Sequence, residues 1–196
     1  MYKQPFEKIK QNILTKLTGL NKNLLYHSVE HTLDVTKQAE RIAISENLSD
    51  EKELFLLKVA SLYHDTGFLF VYKGHEEKSC LIFKEDAPLY NFSEDETKLI
   101  CGIIMATKLP QTPATKLEEI ICDADLDYLG REDFLPLSNK LRTEFLEYGI
   151  VKNNDEWEQL QFKFLTNHQF FTATSVWQRN HLKQQYLAQI LTSFPG

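Results

Sequence analysis

The residues with the clearest capacity for chemistry are an adjacent histidine and aspartate, His64 and Asp65, which follow a strongly apolar segment. Residues 54–62 are apolar on nearly every side at helical length, a pattern that predicts a buried helix. A buried imidazole and carboxylate without partners would carry a large desolvation cost. A divalent metal ion removes that cost, because both side chains are common ligands of such ions. The pair therefore predicts half of a metal site.

A third candidate ligand is an aspartate in a later segment, residues 120–129, where carboxylates alternate with apolar residues. At helical spacing Asp125 shares a face with apolar residues, so we expect it to be buried and in need of a partner. Asp123 and Asp127 fall on another face, where we expect solvent. A helix cap or a buried salt bridge would explain Asp125 as well as a metal would.

Two histidines near the start of the chain complete the set of candidates. His27 and His31 are four residues apart, a spacing that places both imidazoles on one face of a helix and suits a divalent metal. Either histidine alone would equally fit an ordinary surface or core position. Combined with a His-Asp pair and a buried aspartate, however, they favour a metal site.

Motifs built around these residues resemble the HD-domain superfamily of metal-dependent phosphohydrolases. The resemblance spans roughly residues 24–130 and keeps the order His, His-Asp, Asp. Its motifs lie in residues 26–32, 62–67, 75–76 and 123–130. It implies four metal ligands: His31, His64, Asp65 and Asp125.

Other roles follow from the same resemblance. Asp65, His75 and Glu76 become the expected catalytic residues, with His75-Glu76 orienting water or protonating a leaving group. His27 becomes a candidate for substrate contact. No histidine lies between residues 76 and 167, whereas two-metal members of the superfamily usually have more. We therefore expect one divalent ion and no second; the ligand types do not choose among Mn, Mg, Fe, Co, Ni and Zn.

Two cations near the ends of the helices that flank the Asp125 segment are candidates for holding phosphate. They are Lys108 and Arg131, and an ordinary solvated side chain is the alternative for each. His168 and Thr172 read as a capping segment and are left out of the expected site.

The hydrophobic pattern predicts an all-α, single-domain protein, and the resemblance implies a helical bundle of the HD type with about 8–9 helices. Its one domain would span residues 1–196, with a motif-bearing core at 24–130 and C-terminal helices at 131–193 packed on it. The contents of 7 Gly and 6 Pro favour long helices over a loop-rich β fold. We expect helices over residues 4–17, 24–46, 50–65, 75–86, 94–105, 114–129, 134–147, 154–164 and 174–191.

Composition limits the classes of partner. The net charge of −6 gives no electrostatic reason to expect nucleic acid or an anionic membrane. The chain has 3 cysteines and no C-x-x-C, which indicates free thiols in a reducing compartment. With no apolar leader segment at residues 1–5, we expect a cytoplasmic protein.

The main functional hypothesis is an enzyme that hydrolyses a phosphoester or phosphoanhydride of a nucleotide or a related small phosphorylated molecule. The alternative is a catalytically idle HD domain that binds metal or nucleotide as a sensor or scaffold. An iron oxygenase of the same helical architecture would need histidines that this chain lacks. The aromatic C-terminal helices could supply the surface of a homodimer.

Overall fold

A computed structural model describes residues 3–193, and these residues form nine α-helices and three short 3₁₀ turns, with no strand among them. The expected all-α fold is therefore confirmed. The 3₁₀ turns are Thr66–Leu69, Ala87–Tyr90 and Asp127–Gly130. The helices are α1 (Lys3–Leu17), α2 (Val29–Ser45), α3 (Glu51–Tyr63), α4 (His75–Asp86), α5 (Glu94–Ala106), α6 (Lys116–Asp125), α7 (Phe134–Glu147), α8 (Asn154–Asn167) and α9 (Ala173–Ser193).

The apolar helix α3 lies at the centre of the larger of two core clusters. It packs against α1, α2 and α5, and residues such as Leu57, Val59 and Leu62 are fully buried. The smaller cluster joins the 3₁₀ turn after α6 to the C-terminal helices, and Phe134 and Leu165 lie in it. The site described below lies where these two clusters meet.

Helix α2 begins later than the sequence predicted, and this corrects one argument about the site. Ser28 caps the helix, accepting a hydrogen bond from the backbone N–H of His31 at 3.4 Å. His27 therefore precedes the helix, and the helical spacing inferred for His27 and His31 is wrong. Leu25, which a helix over residues 24–46 would place among its inward-facing residues, is 40% exposed.

The predicted helix over residues 114–129 is interrupted. Helix α6 ends at Asp125, and the chain continues as a 3₁₀ turn. Asp123 and Asp127 were expected to face solvent, but both are buried. The local pattern missed this because their partners lie far along the chain.

Asp123 ties the segment before α9 to α6. Its carboxylate accepts hydrogen bonds from the backbone N–H groups of Phe171 and Thr172, each at 2.8 Å. Asp127 makes ion pairs with Arg41 at 2.7 Å and Arg179 at 2.8 Å. These contacts fix the C-terminal helices against the part of the chain that carries the motifs.

The cysteines are buried free thiols, as expected; they are Cys80, Cys101 and Cys122. Within residues 3–193, no helix combines the length and the apolar character needed to cross a membrane.

Glu46 forms a further link between α2 and the C-terminal helices. Its carboxylate accepts from the Lys116 ammonium at 2.6 Å and from the backbone N–H of Thr174 at 2.7 Å. Burial opposes ionisation of Glu46, but these partners more than offset it and lower its pKa from 4.5 to about 2. A carboxyl group with a lowered folded-state pKa stabilises the protein above its unfolded pKa, and this stabilisation is lost as the pH falls through the folded value.

We therefore expect Glu46→Gln to lower the free energy of unfolding by about 2 kcal/mol at pH 7. The difference from wild type should shrink as the pH falls from 4.5 towards 2, measured as urea midpoints across that range. Glu51→Gln, at an exposed position, is the control and should stay within about 0.5 kcal/mol of wild type at pH 7. A deficit that is the same at every pH would contradict the assignment.

Candidate metal centre

The end of helix α3 presents the His-Asp pair. Helix α3 ends at Tyr63, so His64 and Asp65 lie at the turn where the backbone leaves the helix. His64 is 0% exposed. Its Nδ1 lies 2.8 Å from the carbonyl oxygen of Ser61, which can only accept, so Nδ1 carries the proton. The Nε2 atom is left with a lone pair, as a metal-binding imidazole requires.

The four expected ligands meet at one point. The Nε2 atoms of His31 and His64 are 3.4 Å apart, and Asp65 Oδ2 lies 3.3 Å from the former and 3.2 Å from the latter. Asp125 Oδ1 approaches the same two nitrogens at 3.2 and 3.5 Å. Two ligand atoms that are each about 2.1 Å from one ion lie about 3.0 to 3.4 Å apart in octahedral or tetrahedral coordination. His31, His64 and Asp65 therefore fit a single divalent ion, and Asp125 lies beside the same two imidazoles.

The buried state of one of these oxygens also supports a metal site. Asp65 Oδ2 is buried and has no hydrogen-bond partner within residues 3–193. Buried carboxylate oxygens are normally satisfied, because an unsatisfied one costs much of its solvation free energy. Two imidazoles and two carboxylates form a donor set suited to first-row divalent ions, and they do not choose among those ions.

The electrostatics of the cluster are those of mutually stabilised charges. Burial opposes protonation of His31, but the carboxylates of Asp125 and Asp65 more than offset it and raise its pKa to about 9. The pKa of His64 is raised for the same reasons. Burial also opposes ionisation of Asp65, yet the charge on His64 holds its pKa well below its ordinary value. The carboxylates of Asp65 and Asp125 thus stabilise positive charge in this cluster, and a bound cation requires the same stabilisation.

Helix α4 brings the expected catalytic pair to the same place. A Cβ atom at Gly67 would overlap the backbone of His75, so glycine permits the turn after Asp65 to touch the start of α4. The His75 Nδ1 atom lies 3.0 Å from the carbonyl oxygen of Tyr72 and therefore donates to it. Its Nε2 atom lies 3.5 Å from Asp65 Oδ1 and 3.6 Å from Glu76 Oε1. Asp65, His75 and Glu76 are thus brought together.

His27 lies beside this group although it precedes α2. Its ring stacks on Phe68 with 4.3 Å between centroids, and Phe68 also stacks on His75 at 3.9 Å. The His27 Nδ1 atom forms a short hydrogen bond with the carboxylate of Glu144 on α7.

Glu144 is a positioning residue that sequence reasoning missed. It is fully buried and accepts from the backbone N–H groups of Tyr26 at 2.9 Å and His27 at 3.2 Å, and from the Tyr72 hydroxyl at 2.9 Å. Burial opposes its ionisation, but these donors, the His27 imidazole first, lower its pKa. The sequence did contain a signal for this role. Glu144 lies seven residues after Leu137, which places the acid on the apolar face of α7.

The two cations expected to hold phosphate are already paired with carboxylates. Lys108 forms a short ion pair with Glu77. Arg131 contacts Asp34 and Asp133, each at 2.5 Å. Their roles in phosphate binding stay predictions.

Two cavities adjoin the metal centre. The larger, of about 500 Å³, is lined by Asp65, His27, His75, Glu76, Lys108 and Asp125 at one end and by apolar side chains at the other. The smaller, of about 210 Å³, includes His31, Asp125, Arg131 and Lys140 in its wall. The donors are therefore reachable from both cavities.

Comparison with protein families gave one match. A model described as HD domain matches residues 28–127, slightly more than half of the 196 residues, and the matched part contains all four expected metal ligands. Neither the comparison with curated proteins nor that with solved structures gave a match.

We expect Asp65→Asn to weaken binding of Mn²⁺ by about 100-fold or more, because even the loss of an outer-shell partner typically costs 10- to 100-fold. Isothermal titration calorimetry on chelator-stripped protein measures the affinity. Asp95→Asn, at a side chain that is 97% exposed, is the matched control and should bind as wild type does. Equal affinities for Asp65→Asn and wild type would remove Asp65 from the site.

The burial of Glu144 generates a separate prediction about stability. Glu144→Ala leaves two backbone N–H groups without their acceptor and the His27 imidazole without its partner, so it should cost about 3 kcal/mol of unfolding free energy in urea. Glu147→Ala, on the exposed side of the same helix, should stay within about 0.5 kcal/mol of wild type. Similar losses in the two variants would show that Glu144 has no special positioning role.

Proposed function

The chain belongs to the HD-domain family, and we propose that it is a metal-dependent phosphohydrolase, which cleaves a phosphoester or phosphoanhydride bond of a small phosphorylated molecule such as a nucleotide. One observation carries the proposal. The four donors converge beside a cavity of about 500 Å³, and one of their buried oxygens has no hydrogen-bond partner in the described chain.

His31, His64, Asp65 and Asp125 would hold the divalent ion. When bound, such an ion neutralises charge on phosphoryl oxygens and makes water a better nucleophile at neutral pH. The protein contributes the rigidity of the donors: His64 is fixed by its bond to Ser61, and Asp65 by its place at the end of a buried helix.

His75 and Glu76 supply the proton transfers in this proposal. Because His75 Nδ1 donates to the Tyr72 carbonyl, its Nε2 atom is the one available to accept or donate a proton. Asp65 Oδ1 and Glu76 Oε1 lie close to that nitrogen and can orient water beside it. As the water oxygen bonds to phosphorus and the ester P–O bond breaks, His75 Nε2 takes a proton from the water, and the leaving oxygen receives that proton from the same imidazole.

Substrate positioning would fall to residues around this centre. His27, held by Glu144, faces the cavity beside Phe68 and can contact the substrate. Lys108 and Arg131 would bind phosphate by exchanging a carboxylate partner for a phosphate oxygen. Of the two, Lys108 is the more exposed, at 45% of its side chain, and is the easier to release.

An activity screen tests the proposal. We expect wild-type protein with Mn²⁺, Co²⁺ or Mg²⁺ to release phosphate from at least one member of a panel of nucleotides, cyclic nucleotides and simple phosphoesters. Asp65→Asn should abolish this release, whereas Asp95→Asn should not. His75→Asn should lower kcat by about 100-fold or more, as loss of a general acid–base typically does, while leaving Mn²⁺ affinity within about twofold.

Two outcomes would contradict this proposal, one for the enzyme as a whole and one for the role of His75. If the wild type binds metal but turns over nothing that Asp65→Asn fails to turn over, the protein is a metal-binding sensor or scaffold. If His75→Asn loses metal affinity together with activity, His75 is a ligand and its assignment to proton transfer is wrong.

A further inference from the structure

We infer that the larger cavity selects a phosphoester carrying a hydrocarbon group, so that the preferred substrate is amphiphilic and not a nucleoside polyphosphate. The inference rests on the proposed function, since it names the substrate class of the same site. It is carried by the residues that line the cavity away from the metal donors.

Away from the metal donors, most of the cavity wall is apolar. It is formed by α7, α8 and the loop between them, and its side chains are aliphatic or aromatic: Leu141, Phe145, Ile150, Trp157, Leu160 and Phe164. Pockets that bind small molecules place a few polar groups among apolar ones, and the polar groups decide what part of the ligand lies where. Here the polar groups cluster at the metal end.

Several polar side chains in the rest of the wall already have partners. Gln161 donates a short hydrogen bond to Ser138, and the Tyr72 hydroxyl donates to Glu144. The rings of Tyr26 and Tyr128 pack against each other, with 5.2 Å between their centroids. A ribose or a base edge placed there would lose its bonds to water without equivalent replacement, which costs free energy. A hydrocarbon group would gain free energy in the same place.

Charge also disfavours a polyphosphate. Among the described residues that line this cavity, the only lysines or arginines are Lys73 and Lys108, and Lys108 is paired with Glu77. The carboxylates of Asp65, Glu76 and Asp125 line the same cavity. One phosphoryl group at a metal ion is compatible with this balance, whereas a chain of phosphates would meet more negative than positive charge.

Two apolar residues of the wall are left partly open to solvent. Ile150 is 47% exposed and Leu160 is 37% exposed, and both line the cavity. A hydrocarbon group entering the cavity would cover them, which adds to the driving force for binding.

Binding of alkylphosphonates tests the inference without turnover, because the P–C bond is not an ester. We expect the affinity of Mn²⁺-loaded protein to rise about two- to fourfold per added methylene from methyl- to octylphosphonate, measured by calorimetry. The double variant Ile150→Gln/Leu160→Gln should bind octylphosphonate at least about tenfold more weakly and methylphosphonate within about twofold of wild type. Leu135→Gln, 55% exposed and outside the cavity, should keep the wild-type series.

Hydrolysis of octyl phosphate and of adenosine monophosphate is measured in parallel, and octyl phosphate should show the larger kcat/KM by at least about tenfold. An affinity that does not change with chain length, or a larger kcat/KM for the nucleotide, overturns the inference and leaves the proposed function standing. A rising affinity that the double variant loses, with no ester hydrolysed, supports an apolar subsite and overturns the proposed function.

Discussion

The buried carboxylate of Asp65 is the constraint on which the rest of the structure depends. Its Oδ2 atom lies at the end of an apolar helix, with no hydrogen-bond partner in residues 3–193 and with two imidazole nitrogens within 3.3 Å. Such an arrangement is costly in the absence of compensating positive charge. Three helices bring groups to this carboxylate and its imidazole partners. Helix α2 brings His31 to Oδ2, α4 brings His75 to Oδ1, and α6 brings Asp125 to the two imidazoles.

The C-terminal helices do more than cover the family's conserved motif region. The family model matches residues 28–127, and His27, directly before this part, is oriented by Glu144 from α7. Asp123 accepts hydrogen bonds from the segment before α9, and Asp127 Oδ1 pairs with Arg179 on that helix. The backbone at Gly130 also packs closely against α9, since a Cβ atom there would overlap the backbone of Arg179. The geometry of the motif region is therefore set partly by residues outside it.

Sequence reasoning was successful where the determinants are local. The bounds of α4 and α7 were predicted as the structure has them, because the hydrophobic period that predicts a helix lies within a few residues. The prediction that Asp123 and Asp127 face solvent was wrong because their partners, an arginine and backbone N–H groups, lie far along the chain. Within a short stretch of sequence, such a carboxylate cannot be distinguished from one that is exposed to solvent. The start of α2 was misplaced because an apolar run continues the helical pattern past the Ser28 cap.

The metal donors separate two environments of opposite character. On one side lies a small cavity with Arg131 and Lys140 in its wall; on the other lies a cavity more than twice as large, at about 500 Å³ against 210 Å³, whose far end is apolar. Asp125, Tyr26 and Tyr128 border both cavities. A molecule with a charged head and a hydrocarbon group could therefore place each part in a matching environment while its phosphorus lies at the donors. Since the apolar side is built by α7 and α8, the inferred substrate preference comes from helices beyond the shared motif.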